Sequence, residues 1–232
     1  MKEVIKYMRL PFEFDMPVMQ AELSALGHQW IAHFNTRFYD GEWSALPLRS
    51  PGGSITNILA HESQEFSDTE IMALCPYMKS IVDMLPGNKR AVRLLKLKAG
   101  SEIKEHRDNG LCYEGGETRI HIPIVTNKDV HCYLDKEAMT LAEGECWYLN
   151  FDLPHSFTNE GATDRVHLVI DAGADEGMKE LFDRCIPAHV KKIPAKPGFS
   201  AQEKQSMIAS LKQMDTPAAK DILARMLAEM EM

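Results

Sequence analysis

Alternation of apolar and polar residues marks two segments as β-strands that bury one face. In Arg119–Val125, isoleucine occupies every second position, and the opposite face carries Arg119 and His121. Arg165–Asp171 repeats the pattern, with its arginine and His167 opposite the apolar residues. Successive side chains of a strand point to opposite faces, so the apolar faces are available for packing. The polar faces either meet water or line the inside of an open barrel, and the repeated Arg-x-His pattern favours the barrel.

Shorter apolar or alternating runs that end at turn residues predict further strands. They cover residues 91–98, 130–134 and 145–151. Leu46–Gly53 contains two prolines and a glycine pair, which predicts a loop after a short strand. Loops at the mouth of a barrel carry substrate contacts, so Arg49 is a candidate substrate-binding residue.

Apolar residues that recur every three or four positions predict helices before and between the strands. Over residues 19–34 this spacing predicts one amphipathic helix, in which His28 and His33 are expected at the surface. Residues 68–74 and 77–85 predict a helix that is interrupted at the proline between them.

The C-terminal segment, residues 193–232, has helical signals. Ser200 and Glu203 form a capping box that starts one helix, and Pro217 is at the first position of a second helix. We therefore predict a β-domain with N-terminal helices over residues 1–192, followed by a helical hairpin packed on this core. Methionine-rich stripes more often pack than bind cofactors, so we expect a buttress or a homodimer contact, with an active-site lid as the alternative.

Composition and charge exclude several classes of protein. The 232 residues have a net charge of −8 and no cluster of Lys and Arg, which argues against a nucleic-acid partner. No apolar run approaches the ~20 residues that span a bilayer, and the charged N-terminus lacks a signal-peptide core, so a cytoplasmic location is expected. The five cysteines are odd in number and show no Cys-x-x-Cys spacing, which predicts reduced thiols.

Three side chains form a candidate metal site. His106 and Asp108 are two residues apart, and His155 follows later in the chain. Two histidines and one carboxylate are the ligand set that holds non-haem Fe(II) and leaves coordination positions open. A His-x-Asp pair alone is common at protein surfaces, so the hypothesis depends on the surrounding residues.

Arg165 lies ten residues after His155 and adds a second element to the candidate site. A guanidinium group offers a planar fork of donors that matches a carboxylate. It is therefore suited to anchor the far end of a dicarboxylic co-substrate that chelates the metal beside His155.

An ordered set of short motifs extends beyond the metal ligands. In chain order they are His106-x-Asp108, Arg119-x-His121, Gly144-Glu145, Pro154-His155 and Arg165–Asp171. This set resembles the aspartyl/asparaginyl β-hydroxylase family of Fe(II)/2-oxoglutarate-dependent dioxygenases. The resemblance covers roughly residues 40 to 172, because Gly41-Glu42-Trp43 is similar to the family's Gly-x-Trp element.

The resemblance implies a mainly β fold, a double-stranded β-helix of the jelly-roll or cupin type with flanking helices. The implied activity is hydroxylation of a C–H bond in an amino acid or amino-acid residue, with Fe(II), 2-oxoglutarate and O2 as cofactors and succinate and CO2 as products. The substrate is expected to be a free, peptidyl or carrier-bound amino acid. A chain of this length can build one such core.

The resemblance also implies roles for the inward-facing residues. His121 is expected to donate to a carboxylate of 2-oxoglutarate, and Arg119 either assists it or receives the carboxylate of the substrate. His167 shares the inward face of Arg165 and either binds substrate or supports that arginine.

Other metal-dependent barrels use similar ligands. A cupin-like isomerase, a zinc hydrolase and a non-catalytic metal- or acid-binding protein are alternatives. The first two do not explain an arginine ten residues beyond the last ligand. Oxygen uptake that depends on 2-oxoglutarate would distinguish the dioxygenase from all three.

Overall fold

The structure is a computed structural model. It describes residues 3–27, 30–60, 64–185, 190–195, 201–214, 216, 219–220, 222–223 and 226–227. The chain divides into two compact units, Glu3–Ile193 and a second one of residues 1–2 and Pro194–Met232. Among the described residues, no helix has both the length and the hydropathy needed to cross a membrane.

The first unit is mainly β. Its strands are β1 (Glu3–Leu10), β2 (Ile31–Ala32), β3 (Tyr39–Asp40), β4 (Trp43–Pro51), β5 (Phe66–Asp68), β6 (Lys89–Leu97), β7 (Ser101–His106), β8 (Glu117–Val125), β9 (Val130–Leu134), β10 (Glu137–Met139), β11 (Cys146–Leu149), β12 (His155–Asn159), β13 (Arg165–Gly173) and β14 (Val190–Pro194). Its helices are α1 (Met16–Ala25), α2 (Pro76–Met84) and α3 (Glu176–Cys185), with short 3-10 turns at Thr36–Phe38, Met72–Leu74 and Tyr113–Gly115.

The strands form two sheets in a double-stranded β-helix. The larger sheet has the order β14-β1-β11-β8-β13-β6-β4-β2, with β5 paired to β4, and the smaller sheet has the order β10-β9-β12-β7-β3. From β6 to β13 the chain passes back and forth between the sheets, and the paired strands are antiparallel. This confirms the expected fold class.

The two faces of the long strands differ in what they contact. On β8, Ile120, Ile122 and Ile124 pack in a core that also contains Met19 of α1 and Met78 of α2. The helices therefore cover the outer face of the larger sheet, where each fully buried aliphatic side chain contributes about 1.5–3 kcal/mol. The predicted alternation is confirmed, and the arginine and histidine faces of β8 and β13 point between the sheets.

The predicted helix over residues 19–34 is wrong in its second half. Helix α1 begins at Met16, with the Asp15 side chain accepting a hydrogen bond from the Val18 amide. The helix ends at Ala25. Gly27 has a φ of 62°, a left-handed conformation that suits glycine and turns the chain out of the helix. The apolar spacing continues past this glycine, but its later members, Trp30 and Phe34, lie on either side of the short strand β2.

Two further sequence predictions are also corrected. Most of Leu46–Gly53 belongs to strand β4, not to a loop, because the ladder to β6 shifts register between Pro47 and Arg49 and accommodates the proline there. The turn comes only at Gly52 and Gly53, both at positive φ. Residues 68–74 contain the end of β5 and one 3-10 turn, whereas the predicted helix at 77–85 corresponds to α2.

The second unit contains helix α4 (Ala201–Lys212). Ser200, the predicted cap of this helix, and most of the predicted second helix, including Pro217, lie outside the described residues. The interpretation of this unit as a helical hairpin packed on the core stays a prediction.

Candidate active site

The inner faces of the two sheets enclose a cavity of about 370 Å³. Six residues predicted from the sequence line it: His106, Asp108, Arg119, His121, His155 and Arg165. They come from five different elements, so the fold is needed to bring them together.

The candidate metal ligands meet where β7 and β12 pair. His106 is the last residue of β7 and lies directly opposite His155, the first residue of β12. Asp108 follows just beyond the strand end, and its amide donates to the Phe151 carbonyl. One ligand atom from each of the three residues lies within 4.8 Å of the others. We call this region the metal end of the cavity.

Backbone contacts orient both histidines for metal binding. Nδ1 of His106 is 2.7 Å from the Lys104 carbonyl, and Nδ1 of His155 is 3.0 Å from the Leu153 carbonyl. Since a carbonyl oxygen can only accept, each Nδ1 carries the proton and each Nε2 keeps a lone pair. Burial, followed by the neighbouring His106, lowers the pKa of His155 to about 4, so this imidazole is neutral at pH 7. The donor set therefore fits a divalent metal ion.

Arg119 holds the candidate carboxylate ligand. Its Nη1 donates to Oδ2 of Asp108 at 2.6 Å, which leaves Oδ1 for a metal. Burial opposes ionisation of Asp108, but the Arg119 guanidinium, helped by His155 and His106, outweighs it and lowers the pKa of this carboxyl group. Asp108 is therefore anionic, as a metal ligand must be.

A buried chain of charges extends behind the metal end. Arg119 also forms two hydrogen bonds to Asp171, at 2.5 and 3.1 Å. Asp171 accepts another bond from Arg93, and Arg93 donates to the Ile58 carbonyl. Because Arg119 already contacts two carboxylates, it holds Asp108 in place, and the alternative role of receiving a substrate carboxylate does not fit its contacts.

Arg165 occupies the opposite end of the cavity. It is 1% exposed, and its guanidinium carbon lies 4.7 Å from the centroid of the Phe157 ring. Within the described part of the chain it has no carboxylate partner, and its Nε makes no hydrogen bond. Burial lowers the pKa of this guanidinium to about 10, which leaves it charged at pH 7. A buried cation of this kind requires an anion.

Two histidines extend the contacts of Arg165. Nη2 of Arg165 donates to Nδ1 of His167 at 2.9 Å, and Nδ1 of His121 lies 3.2 Å from the same atom. Since Nδ1 of His167 accepts from Arg165, Nδ1 of His121 acts as the donor in their contact. Neutral His121 therefore presents a lone pair at Nε2, and the expected donation to a carboxylate requires uptake of a proton. We call Arg165, His121 and His167 the anion end.

The remaining sequence candidates lie elsewhere. Arg49 does not line the cavity; it pairs with Asp68 on β5 and donates to the Phe66 and Lys89 carbonyls. The proposed substrate role of Arg49 is therefore corrected, because its donors are used to join β4 to β5. His167 contacts Arg165 but does not line this cavity either.

His33 was expected at the surface, but it lines the cavity and is 8% exposed. Its ring stacks on Trp43 with a centroid distance of 3.5 Å and on Phe34 at 4.7 Å. Burial, followed by the charges of Arg93 and Arg119, lowers the pKa of His33 to about 3. The sequence signal that placed His33 on a helix surface failed because the helix ends before it.

The chain is 26% identical over 166 residues to the L-proline cis-4-hydroxylase of Rhizobium meliloti (strain 1021), which covers 68% of this chain and 58% of that enzyme. Among solved structures, an oxidoreductase of the 2OG-Fe(II) oxygenase family from Burkholderia pseudomallei matches with a TM-score of 0.49 and 12% identity, over 74% of this chain and 87% of that one. HygX from Streptomyces hygroscopicus, with nickel and 2-oxoglutarate bound, matches with a TM-score of 0.46 and 10% identity, over 75% and 84%.

A family model described as aspartyl/asparaginyl beta-hydroxylase matches residues 13–174. This range contains both sheets' central strands, the metal end and the anion end. The chain therefore belongs to the aspartyl/asparaginyl β-hydroxylase family.

Proposed function

We propose that this protein is an Fe(II)- and 2-oxoglutarate-dependent dioxygenase that hydroxylates a C–H bond of an amino acid or amino-acid residue. One atom of O2 enters the substrate as a hydroxyl group and the other enters succinate, while CO2 leaves 2-oxoglutarate. Family membership supports this reaction, as does the similarity to a proline hydroxylase.

One observation carries the proposal: a buried arginine that has no carboxylate partner among the described residues shares a cavity with a candidate metal site. Two histidines and a carboxylate alone would suit several kinds of metal protein. Arg165 adds a fixed cation at the far end of the same cavity. A ligand that is both a metal chelator and an anion at its distal end matches these two features, and 2-oxoglutarate is such a ligand.

The metal end and the anion end would have separate roles in this reaction. His106, Asp108 and His155 would hold Fe(II), which when bound supplies the redox chemistry that activates O2. Arg165 would pair with the distal carboxylate of 2-oxoglutarate and so fix its orientation, with His167 holding the guanidinium. Phe151 and Phe157 line the cavity between the two ends and would exclude water from the reacting atoms.

The sharpest test compares two ligands that differ only at the distal end. 2-Oxopentanoate has the five-carbon chain of 2-oxoglutarate but no distal carboxylate. Under anaerobic conditions, the Fe(II) protein should bind 2-oxoglutarate at least about 30-fold more tightly, because only this ligand compensates the buried guanidinium.

With O2 and an amino acid supplied, the same protein should form succinate and a product that is one oxygen heavier. If the protein bound metal but had equal affinity for the two oxoacids and formed no succinate, the site would belong to a different kind of metal-dependent barrel.

A further inference from the structure

We infer that Arg107 binds a carboxylate of the substrate and that an apolar wall beside it holds the substrate's uncharged body. The wall consists of His33, Phe34, Trp43 and Leu59, which all line the cavity. The inference rests on the proposed function and specifies the substrate class: a carboxylic acid on an apolar body, such as an amino acid with an aliphatic or cyclic side chain.

The charges of the cavity carry the first step. Four guanidinium groups line it, those of Arg93, Arg107, Arg119 and Arg165. Arg93 and Arg119 pair with Asp171, and Arg119 also pairs with Asp108. Among the lining residues that the structure describes, Arg107 and Arg165 have no carboxylate partner. The cavity therefore has places for two anionic groups, and 2-oxoglutarate accounts for only one of them.

The position of Arg107 allows it to contact a substrate at the cavity mouth. It lies between the metal ligands His106 and Asp108 in sequence, but its side chain is exposed at the cavity mouth. Nη1 donates to the Asp152 carbonyl at 2.8 Å, and this bond holds the guanidinium in place. Its other donors make no hydrogen bond within the described residues and are available to a ligand. A guanidinium fixed by one bond presents its remaining fork to a carboxylate.

The wall determines what the rest of the ligand must be. Phe34 is 58% exposed and Leu59 is 38% exposed, although both line the cavity. His33 lies in a stack between Phe34 and Trp43, so this side offers ring faces and aliphatic carbon. An apolar body would cover these surfaces, whereas a second carboxylate, as in aspartate, would lose its hydration there without gaining a partner.

The described lining residues also leave no free carboxylate for a cation. Asp108 is the one carboxylate among the described lining residues, and it is engaged by Arg119 and oriented toward the metal end. An ammonium group of the substrate would therefore stay in solvent at the mouth. The carboxylate, not the amine, would be the charged group that determines binding.

A merely bracing role of Arg107, through its bond to Asp152, would affect acids and amides alike. The experiment therefore compares the affinity for an acid with the affinity for its amide. We would titrate L-proline, L-leucine and L-phenylalanine, each against its amide, into the anaerobic Fe(II)–2-oxoglutarate protein. For whichever of these amino acids it binds, the wild type should prefer the acid over its amide by about three- to tenfold, as for an exposed ion pair. Arg107→Gln should abolish the preference and leave the affinity for the amide unchanged.

Two control variants distinguish a contact with the substrate carboxylate from a general loss of binding. Arg37→Gln changes an arginine that does not line the cavity, and the preference should stay. Phe34→Ser should weaken acid and amide by the same factor, because it removes only apolar contact.

An equal loss of acid and amide in Arg107→Gln would overturn the inference in favour of a bracing role. So would L-aspartate binding more tightly than every apolar acid, or no binding of any acid. The proposed function would survive each of these results if 2-oxoglutarate still binds in preference to 2-oxopentanoate.

Discussion

At the metal end of the cavity, Asp108 contacts Arg119, and Arg119 contacts Asp171, so the buried charges neutralise one another. At the anion end, Arg165 is at least as deeply buried, yet its neighbours are two histidines and the ring of Phe157. The pKa of His121 and that of His167 are both lowered well below the usual value, first by burial and then by Arg165. Neither histidine therefore compensates the arginine.

The difference shows which buried charges are paired within the protein and which are left to pair with a ligand. A buried ion costs several kcal/mol unless an opposite charge and hydrogen bonds compensate it. At the metal end this compensation is internal, and it orients Asp108. At the anion end the described residues supply no opposite charge for Arg165, and a bound anion would supply it.

The two arginines should therefore have opposite effects on folding. Arg119→Met leaves Asp108 and Asp171 with one guanidinium fewer, and we expect the free energy of unfolding of the metal-free protein to fall by about 3–5 kcal/mol. Arg165→Met removes an uncompensated buried charge and should raise it by about 1–4 kcal/mol. Urea denaturation measures both. Equal losses in the two variants would mean that Arg165 is compensated within the fold.

The same substitution of Arg165 should weaken the binding of 2-oxoglutarate although it stabilises the metal-free fold. Arg165→Met removes the partner of the distal carboxylate, and truncating one side of a buried charge pair costs ~2–5 kcal/mol. The affinity for 2-oxoglutarate should fall by about 30-fold to several thousand-fold, measured by anaerobic titration of the Fe(II) protein.

Metal affinity should be almost unchanged, because the three ligands remain. Arg9→Met is a matched control, since Arg9 forms a surface ion pair with Glu145 and does not line the cavity. If Arg165→Met bound 2-oxoglutarate as well as the wild type, the anion end would have to bind something else.

Arg119→Lys tests the metal end and its pH dependence. Lysine keeps the charge but not the planar fork, so Asp108 loses its orienting bond and metal affinity should fall by about 10- to 100-fold. Burial opposes ionisation of Asp108 and Arg119 offsets it, so weakening this contact raises the pKa of the carboxyl group.

Protons would then compete with the metal at a higher pH. The ratio of variant to wild-type dissociation constants should therefore grow as the pH is lowered from 7 to 5. A ratio that does not change over this range would show that Arg119 does not control the charge of Asp108. Titration with Mn(II) followed by electron paramagnetic resonance would provide the constants.

The smallest effect is expected from His167, which touches Arg165 but does not line the cavity. His167→Leu should lower the affinity for 2-oxoglutarate about tenfold, because one hydrogen bond to a charged group is lost. Metal affinity should not change. His131→Leu, on strand β9 of the smaller sheet, is the control. A loss as large as that of Arg165→Met would make His167 a direct ligand of the anion.

Much of the fold and of the candidate site could be predicted from local sequence. The isoleucines of β8 identify its outward face, because the period of a strand is independent of its neighbours. The types of ligand at His106, Asp108 and His155 identify the candidate metal chemistry. The helix boundary near Gly27 was missed because apolar spacing persisted beyond the glycine, and the strand through Pro47 was missed because a register shift accommodates the proline.

The sequence by itself determined that the arginines and histidines of β8 and β13 share one face of each strand, opposite the apolar residues, since side-chain direction follows from position along a strand. Only the tertiary structure decided which arginine is compensated. Asp171 lies opposite Arg119 in the ladder between β13 and β8, whereas Arg165 faces no acidic residue of the described chain. This distinction depends on pairing between strands that are far apart in sequence, and spacing along one strand does not contain it. The same holds for Arg49 and His33, whose roles were set by the strands and rings that they meet.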